Sequence, residues 1–239
     1  MNLRVDLAPK GAYTDVVVVI DVLRACTLAP ILFGRGLETL YLCSSIRRAR
    51  RVAETQDVLL VGERDGLPPE GFNYGTSPAE IARGDFGGRS AVLISDNAPR
   101  VLEQTAGARH VVLGSLYNAD AVVARAAALA EREVALVCTG YRGDEDLDDT
   151  LCAGYLTAQL KRRFPDAVLG GAAMFAVGLL RASPNPVGTL WGSRAGHRLR
   201  HLGLTDDIAV GSLVAQARHV PQLKEHHEDG LYSFFAQEA

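Results

Sequence analysis

Charged side chains follow the apolar segments of this 239-residue chain at several places. The clearest case is the run 16–20, five apolar and mostly β-branched residues, which is followed by Asp21 and then Arg24. A second run, 58–61, leads into a charged turn that contains Glu63 and Arg64. Carboxylates can hold a hard cation such as Mg²⁺, and guanidinium groups bind phosphate. These residue types therefore fit metal-assisted phosphoryl chemistry on an anionic substrate.

Other apolar runs also end in small polar or charged residues. The further candidates are Asn97, Ser115, Asn118, Gly140, Arg142 and Asp149. Taken singly, each is more typical of a helix cap or a solvated turn than of a functional site. Together they predict a rim of carboxylates, glycine amides and guanidinium groups that suits an oxygen-rich anion.

These residues need a scaffold that brings their segments together. Apolar strands alternate with helices over most of the chain, which is typical of a mostly parallel, helix-flanked sheet in an α/β fold. In such sheets ligands bind outside the carboxyl ends of the strands, where Asp21 and the other candidates follow their strands. Capping signals at Ser45 and Ser77 predict helix starts, and Gly154 on a helix from about 147 to 164 permits close packing.

The domain organisation is less regular toward the end of the chain. Residues 1–165 are predicted to form the α/β domain that carries most site loops. Residues 166–239 are expected to form a smaller α/β lobe or an extension of the same sheet, and a single compact unit is also compatible. In this part the sequence predicts a helix at 193–202 and a strand at 208–214.

Composition limits the class of protein. The net charge of −3 gives no reason to expect nucleic acid or an anionic membrane as a partner. The chain shows no signal pattern and no apolar run near the ~18 residues of a membrane span. Its four cysteines lack C-x-x-C spacing, as in a cytoplasmic protein with buried thiols. A homodimer is the default expectation, and His226 and His227 read as a polar C-terminal tail rather than a metal site.

Several common catalytic motifs are absent from the sequence. It contains no G-x-x-x-x-G-K-[ST] segment, no G-x-G-x-x-G after a strand and no G-x-S-x-G elbow. Asp21 is not followed by the second Asp of a haloacid-dehalogenase phosphatase, and Cys138 and Arg142 are too close for a cysteine-phosphatase loop. These absences argue against P-loop, dinucleotide-binding, serine-hydrolase and cysteine-phosphatase chemistry.

Several short segments, in order, are similar to one known family. They are Val-Ile-Asp-Val-Leu-Arg-Ala at 19–25, Gly-Glu-Arg at 62–64, Gly-Phe…Gly-Thr-Ser-Pro at 71–78, Gly-Ser-Leu…Asn-Ala at 114–119, Asp-Asp-Thr-Leu…Ala-Gly at 148–154 and Asp-Ile at 207–208. The chain resembles the 2-phosphosulfolactate phosphatases over about residues 16–221. The resemblance implies a Mg²⁺-dependent phosphatase that converts 2-phospho-3-sulfolactate to 3-sulfolactate and phosphate.

The resemblance also implies roles for individual residues. Its site members are Asp21, Arg24, Glu63, Arg64, Asn118 and Asp149. With the strand-end candidates added, Asp21, Arg24 and Asp149 are expected to be catalytic, and Asp21, Glu63 and Asp149 to hold the metal. The residues expected to bind substrate are Arg64, Asn97, Ser115, Asn118, Gly140 and Arg142. A sulfonate would lie on the helix N-terminal amides at 115–118.

One departure from the family pattern bears on the substrate. Where the family usually has Thr-Thr-Asn-Gly-Thr, this chain has Ile-Ser-Asp-Asn-Ala at 94–98, which adds an acid to an anion-facing loop. The alternatives are therefore a phosphatase of another phosphorylated 2-hydroxy acid and a non-catalytic binder of an anionic metabolite. An attacking water is favoured over a side-chain nucleophile, although Cys26 and Cys138 keep a covalent route open.

Overall fold

The computed structural model describes residues 1–238, and its ten strands form one mixed sheet. The strands are β1 (Asn2–Asp6), β2 (Val16–Ile20), β3 (Thr39–Cys43), β4 (Val58–Gly62), β5 (Ser90–Ile94), β6 (His110–Gly114), β7 (Glu133–Cys138), β8 (Val168–Leu169), β9 (His219–His227) and β10 (Leu231–Glu238). The α/β class with a mostly parallel sheet is confirmed.

Residues 1–238 contain ten α-helices, which flank the sheet. They are α1 (Ala25–Gly34), α2 (Ile46–Thr55), α3 (Pro78–Ile81), α4 (Ala98–Leu102), α5 (Ala119–Leu129), α6 (Leu147–Arg163), α7 (Gly171–Ala182), α8 (Pro186–Gly192), α9 (Arg194–His201) and α10 (Thr205–Gly211). No helix among residues 1–238 is long and apolar enough to cross a bilayer.

The sheet consists of two parallel parts joined by a hairpin. Its strand order is β4-β5-β3-β10-β9-β6-β2-β7-β1-β8. Strands β4, β5 and β3 pair in parallel, as do β6, β2, β7, β1 and β8. The hairpin β9–β10 lies between the two parts and pairs antiparallel with both of them. The C-terminal quarter thus extends the same sheet, one of the two arrangements that the sequence left open.

The hydrophobic core has three clusters. One lies between β2, β6 and β7 and the helices α5, α6 and α7. A second combines Val17 and Val19 of β2 with Leu40 and Leu42 of β3 and most of α1. The third packs α2 against the other face of β3, β4 and β5. The second cluster contains residues from both parallel parts of the sheet. Helix α1 therefore packs against both parts.

The longest helix shows why the local sequence folds as it does. Asp146 caps α6, since its Oδ1 accepts a hydrogen bond from the Leu147 amide at 2.8 Å. Two acids occupy the first turn and three basic residues the last, which is the favourable arrangement along a helix dipole. The close packing predicted at Gly154 is confirmed, because a Cβ there would lie 2.2 Å from the Ala176 carbonyl oxygen of α7.

Two predictions for the C-terminal region are wrong. Residues 208–214 do not form a strand; most of that segment belongs to α10, which follows the tight turn at Gly203. His226 and His227 are not in a polar tail but in β9, one of the strands that join the two parts of the sheet. Strand β9 alternates polar and apolar residues weakly, so its period-2 signal is hidden in sequence.

Candidate active site

A cleft lies beside the carboxyl ends of β2, β4, β5 and β7. It encloses about 520 Å³, part of which is open to solvent. Its lining residues come from the segments after these strands and from α9: Leu23, Arg24, Glu63, Asp65, Gly66, Asp96, Asn97, Tyr141, Arg142, Ala195, Arg198 and Leu199. Loops from distant parts of the sequence thus meet at one site, as the strand-end pattern predicted.

Two buried carboxylates, Asp21 and Asp149, are hydrogen-bonded to the segments after β2 and β7 that line this cleft. Asp149 is held by three donors: the Val22 amide at 2.8 Å on Oδ1, and the Gly140 amide at 2.9 Å and the Thr139 hydroxyl at 3.2 Å on Oδ2. Asp21 Oδ1 accepts the Ala25 amide at 3.3 Å. Among residues 1–238, no group donates a hydrogen bond to Asp21 Oδ2, which makes this oxygen the free acceptor of the pair.

The two carboxylates have raised pKa values. Burial raises the pKa of Asp21 to about 8, and the charge of Asp149 adds to the effect. Burial also raises the pKa of Asp149, to about 6, against the opposing effect of its hydrogen bonds from Val22 and Gly140. Neither acid is stable as an isolated anion at this depth, so the pair favours either a proton or a bound cation.

Asp148 is a third buried acid beside them. Burial, followed by the charge of Asp149, raises the pKa of Asp148 well above its usual value. Its Oδ1 is fully enclosed and has no hydrogen-bond partner among residues 1–238. Asp146, by contrast, has a structural role, because its two oxygens accept amides from the starts of both α6 and α9.

Arg24 is held by two acids instead of facing the cleft as a free cation. Its Nη1 donates to Asp207 Oδ2 at 3.0 Å and its Nη2 to Glu63 Oε2 at 3.1 Å. The Gly66 carbonyl oxygen accepts a further hydrogen bond from Nη2 at 3.4 Å. Arg24 therefore fixes the loop after β4 to the segment after β2. Asp207 was part of the motif that carried the resemblance, but sequence reasoning gave it no site role.

The rim of the cleft carries more accessible charges. Arg64 pairs with Asp96, and its Nη2 also donates to the Ser44 carbonyl oxygen at 3.0 Å. Arg142 and Arg198 both approach Asp65. Asp65 lies in the charged turn that the sequence singled out, whereas Arg198 gave no sequence signal, since the position of α9 depends on the tertiary fold.

The predicted site residues fall into three groups. Arg24, Glu63, Asn97 and Arg142 line the cleft. Around it, Asp21 and Asp149 are buried, Gly140 donates its amide to Asp149, and Arg64 holds Asp96. Ser115 and Asn118 form the third group, away from the cleft lining.

Ser115 and Asn118 have structural contacts on all sides. Both are fully buried, and Asn118 Oδ1 accepts the Ser115 amide at 2.9 Å. Asn118 Nδ2 donates to the carbonyl oxygens of Leu113 and His219, both at 3.2 Å, which ties β6 to β9. The side chain makes no capping hydrogen bond to α5, contrary to the sequence expectation. Neither residue leaves a face open to a sulfonate.

The cysteines near the strand ends do not suit nucleophilic attack. Cys26, Cys43, Cys138 and Cys152 are free and buried, as expected. Burial raises the pKa of the Cys26 and Cys138 thiols well above their usual value, so the nucleophilic thiolate is disfavoured at neutral pH. The Cys26 Sγ also donates to the Val19 carbonyl oxygen at 3.4 Å. A covalent cysteine route therefore has no support in this geometry.

The fit of Mg²⁺ can be judged from the donor atoms. Among residues 1–238, no three His, Cys, Asp or Glu side chains are arranged as a metal-binding group, so Asp21, Glu63 and Asp149 do not form the expected triad. Glu63 is paired with Arg24 instead. Mg²⁺, however, commonly takes only one or two protein carboxylates and completes its shell with water and substrate oxygens. The free Asp21 Oδ2 and the nearby Asp149 fit such a partial shell.

Comparison with known proteins identifies the family of this chain. The model of the 2-phosphosulpholactate phosphatase family matches residues 2–226. The chain belongs to that family. Relatives named probable 2-phosphosulfolactate phosphatase include one from Deinococcus radiodurans, 40% identical over 225 residues that make up 93% of each chain. Another, from Thermus thermophilus, is 38% identical over 94% of this chain and 95% of its own. In this member of the family, the matched region includes every residue that lines the cleft.

Proposed function

We propose that the chain is a Mg²⁺-dependent phosphatase that hydrolyses 2-phospho-3-sulfolactate to 3-sulfolactate and phosphate. One observation carries the proposal: a pair of buried carboxylates, Asp21 and Asp149, lies beside a cleft whose rim carries guanidinium groups. Family membership over nearly the whole chain supports the substrate class. Water adds to phosphorus in this reaction, and the bond between phosphorus and the lactate oxygen breaks.

The two carboxylates have distinct tasks in this proposal. Asp149 is fixed by three hydrogen bonds and orients the segment after β2 through the Val22 amide. Asp21 keeps Oδ2 free. In the cation-free protein the pKa of this carboxyl group is about 8, so the group holds a proton at pH values below this. That proton has to leave before Asp21 can act as an anionic ligand.

Asp21 and Asp149 would hold the Mg²⁺. When bound, Mg²⁺ would neutralise charge on the phosphoryl group and lower the pKa of a coordinated water molecule. Arg64 supplies positive charge at the rim, where it attracts a multiply charged anion into the cleft. Arg24 contributes through position, because its two ion pairs hold the loop after β4 against the segment after β2.

A second candidate substrate class follows from the loop after β5. Asp96 lines the cleft and pairs with Arg64, so it reduces the positive charge available to a ligand at that side. A substrate with fewer negative charges than phosphosulfolactate suits this rim better. Another phosphorylated 2-hydroxy acid is therefore the alternative.

The test measures phosphate release from 2-phospho-3-sulfolactate and from a panel of phosphorylated 2-hydroxy acids, with Mg²⁺ and with EDTA. We expect release that EDTA abolishes and that Asp21→Asn lowers by about 10³-fold in kcat. The matched control is Asp15→Asn, a buried acid that binds the amides of residues 131–133 far along the chain. That variant should lose stability and keep kcat. Wild-type protein without Mg²⁺-dependent release on any of these substrates would instead be a metabolite binder.

A further inference from the structure

Two tight turns of the same type stand at the mouth of the cleft. In each, the first and fourth residues exchange backbone hydrogen bonds, between Arg64 and Leu67 in one turn and between Tyr141 and Asp144 in the other. Asp65 and Arg142, the second residues, have φ values of 57° and 56°, and a glycine with positive φ follows each. This is the geometry of type I′ turns, which hold the side chain of the second residue at the tip.

The tips of the two turns meet through opposite charges. Asp65 Oδ1 lies 3.6 Å from Arg142 Nη2 and 3.5 Å from Arg198 Nη2 of α9. Both distances exceed a normal charge-assisted hydrogen bond, and the side chains of Asp65 and Arg142 are 78% and 68% exposed. The contact is therefore weak and replaceable.

The guanidinium groups and carboxylates around Asp65 are not paired one to one. Arg24 is matched by two carboxylates, and Arg64 by Asp96. Arg142 and Arg198, by contrast, share the single carboxylate of Asp65. The four guanidinium groups and four carboxylates balance overall, but the group at Asp65 has one positive charge in excess and the group at Arg24 one negative charge in excess. An external anion whose several oxygens reach both guanidinium groups can therefore compete with the weakly held Asp65.

The protein also fixes where Arg198 lies. Its Nη1 donates to the Tyr141 hydroxyl at 3.3 Å. A Cβ built on Gly66 would lie 3.3 Å from Arg198 Nε and 3.6 Å from Glu63 Oε2. Arg198 Nε and Glu63 Oε2 thus both lie close to Gly66. Glycine is favoured at position 66 because its φ is 87°, a conformation that other residues rarely adopt.

We propose that Arg142 and Arg198 form a second anion subsite, which takes the sulfonate end of the substrate, and that Asp65 fills this subsite when no ligand is bound. The inference rests on the proposed function for the identity of the anion. Binding exchanges one carboxylate for one sulfonate on the same two guanidinium groups and frees the turn at Asp65. The subsite replaces the helix N-terminal amides at 115–118, where Ser115, Leu116 and Asn118 are buried.

The test compares 2-phospho-3-sulfolactate with 2-phospholactate, which lacks the sulfonate. Arg198→Gln and Arg142→Gln should each raise KM for the sulfonated substrate by about tenfold or more, with kcat nearly unchanged. Their KM for 2-phospholactate should stay within about twofold of wild type. Asp65→Asn should lower KM for the sulfonated substrate, because the internal competitor is gone. The matched control is Arg194→Gln on the same helix, whose side chain pairs with Asp144 outside the cleft.

Two outcomes would overturn the subsite. One is an equal rise of KM for both substrates in Arg198→Gln, which would indicate general electrostatic attraction. The other is a rise of KM for the sulfonated substrate in Asp65→Asn. If wild-type protein turns over neither substrate, the proposed function fails, and calorimetry with 3-sulfolactate then tests the subsite alone. Binding to wild type that Arg198→Gln abolishes supports the subsite; equal binding by both proteins, or binding by neither, excludes it.

Discussion

Arg24 and Asp207 form a buried ion pair between residues 183 positions apart in the sequence. Nη1 and Oδ2 are 3.0 Å apart, and the two side chains are only 5% and 1% exposed. Asp207 Oδ1 also accepts the Ser77 hydroxyl at 2.5 Å. The pair thus joins the segment after β2, the start of α3 and the helix α10, and it holds the C-terminal region against the cleft.

Asp207→Ala should therefore be strongly destabilising. It removes one partner of a buried ion pair and leaves the Arg24 charge with Glu63 alone, a loss of about 3–5 kcal/mol in the free energy of unfolding. Urea unfolding at neutral pH measures it. Asp206→Ala is the control, because Asp206 is exposed in the same first turn of α10 and should cost less than about 1 kcal/mol. Equal losses in the two variants would show that the buried pair adds nothing.

The stability of the Mg²⁺-free protein should fall as the pH rises. The pKa of Asp21 is 3.8 in its ordinary state and about 8 in the fold, so between these values the folded protein binds more protons than the unfolded chain. The stabilising effect of that proton is complete below about pH 4 and is lost as the pH rises through 8. Asp149 acts in the same direction, with a folded pKa of about 6.

The difference between Asp21→Asn and wild type isolates this effect from other titrating groups. Thermal unfolding in EDTA at several values between pH 5 and 8 measures the difference. We expect the stability of the variant relative to wild type to increase steadily with pH, since asparagine carries no charge. A difference that stays constant across this range would mean that Asp21 is already ionised at pH 5.

Much of the sheet could be predicted from sequence, and the reason is local. Strands such as β2 and β7 are continuous apolar runs buried on both faces, and the polar residue after each of them marks its carboxyl end. The rim residues Glu63 and Arg142 were found because they follow such runs. The position of a side chain that follows a strand directly can be predicted from sequence, because the end of that strand places it.

The rest of the site depends on contacts that have no local signal. Arg198 and Asp207 lie on α9 and α10, short helices whose place is set by α8, by α3 and by the ion pair with Arg24. Asn118 has the sequence of a helix cap, yet its amide serves β6 and β9, and β9 was not predicted. A capping residue and a buried tie between strands have the same sequence pattern, and only tertiary structure separates them.

Gly154 offers a test of the packing between α6 and α7. Gly154→Ala places a Cβ 2.2 Å from the Ala176 carbonyl oxygen, a backbone atom that cannot move without shifting α7. We expect a loss of about 2–3 kcal/mol in unfolding free energy. The control is Gly178→Ala on α7, where a Cβ meets no atom within 4 Å and better helix propensity should add up to about 1 kcal/mol. If Gly154→Ala and Gly178→Ala both increased the free energy of unfolding, the close contact at Gly154 would be contradicted.

Asp96 is expected to weaken the binding of highly charged substrates in the cleft. It pairs with Arg64 at the rim, so Asp96→Asn frees that guanidinium and adds one positive charge next to the ligand. KM for a doubly or triply charged phosphate ester should fall about threefold to tenfold, with a steeper dependence on ionic strength, because exposed charges act through attraction that salt screens. Asp57→Asn removes an acid that is more exposed than Asp96 and is paired with Arg89 outside the cleft, so it controls for net charge alone. Steady-state kinetics at two salt concentrations distinguish the cases: the same fall of KM in both variants would mean that Asp96 acts through total charge and not through Arg64.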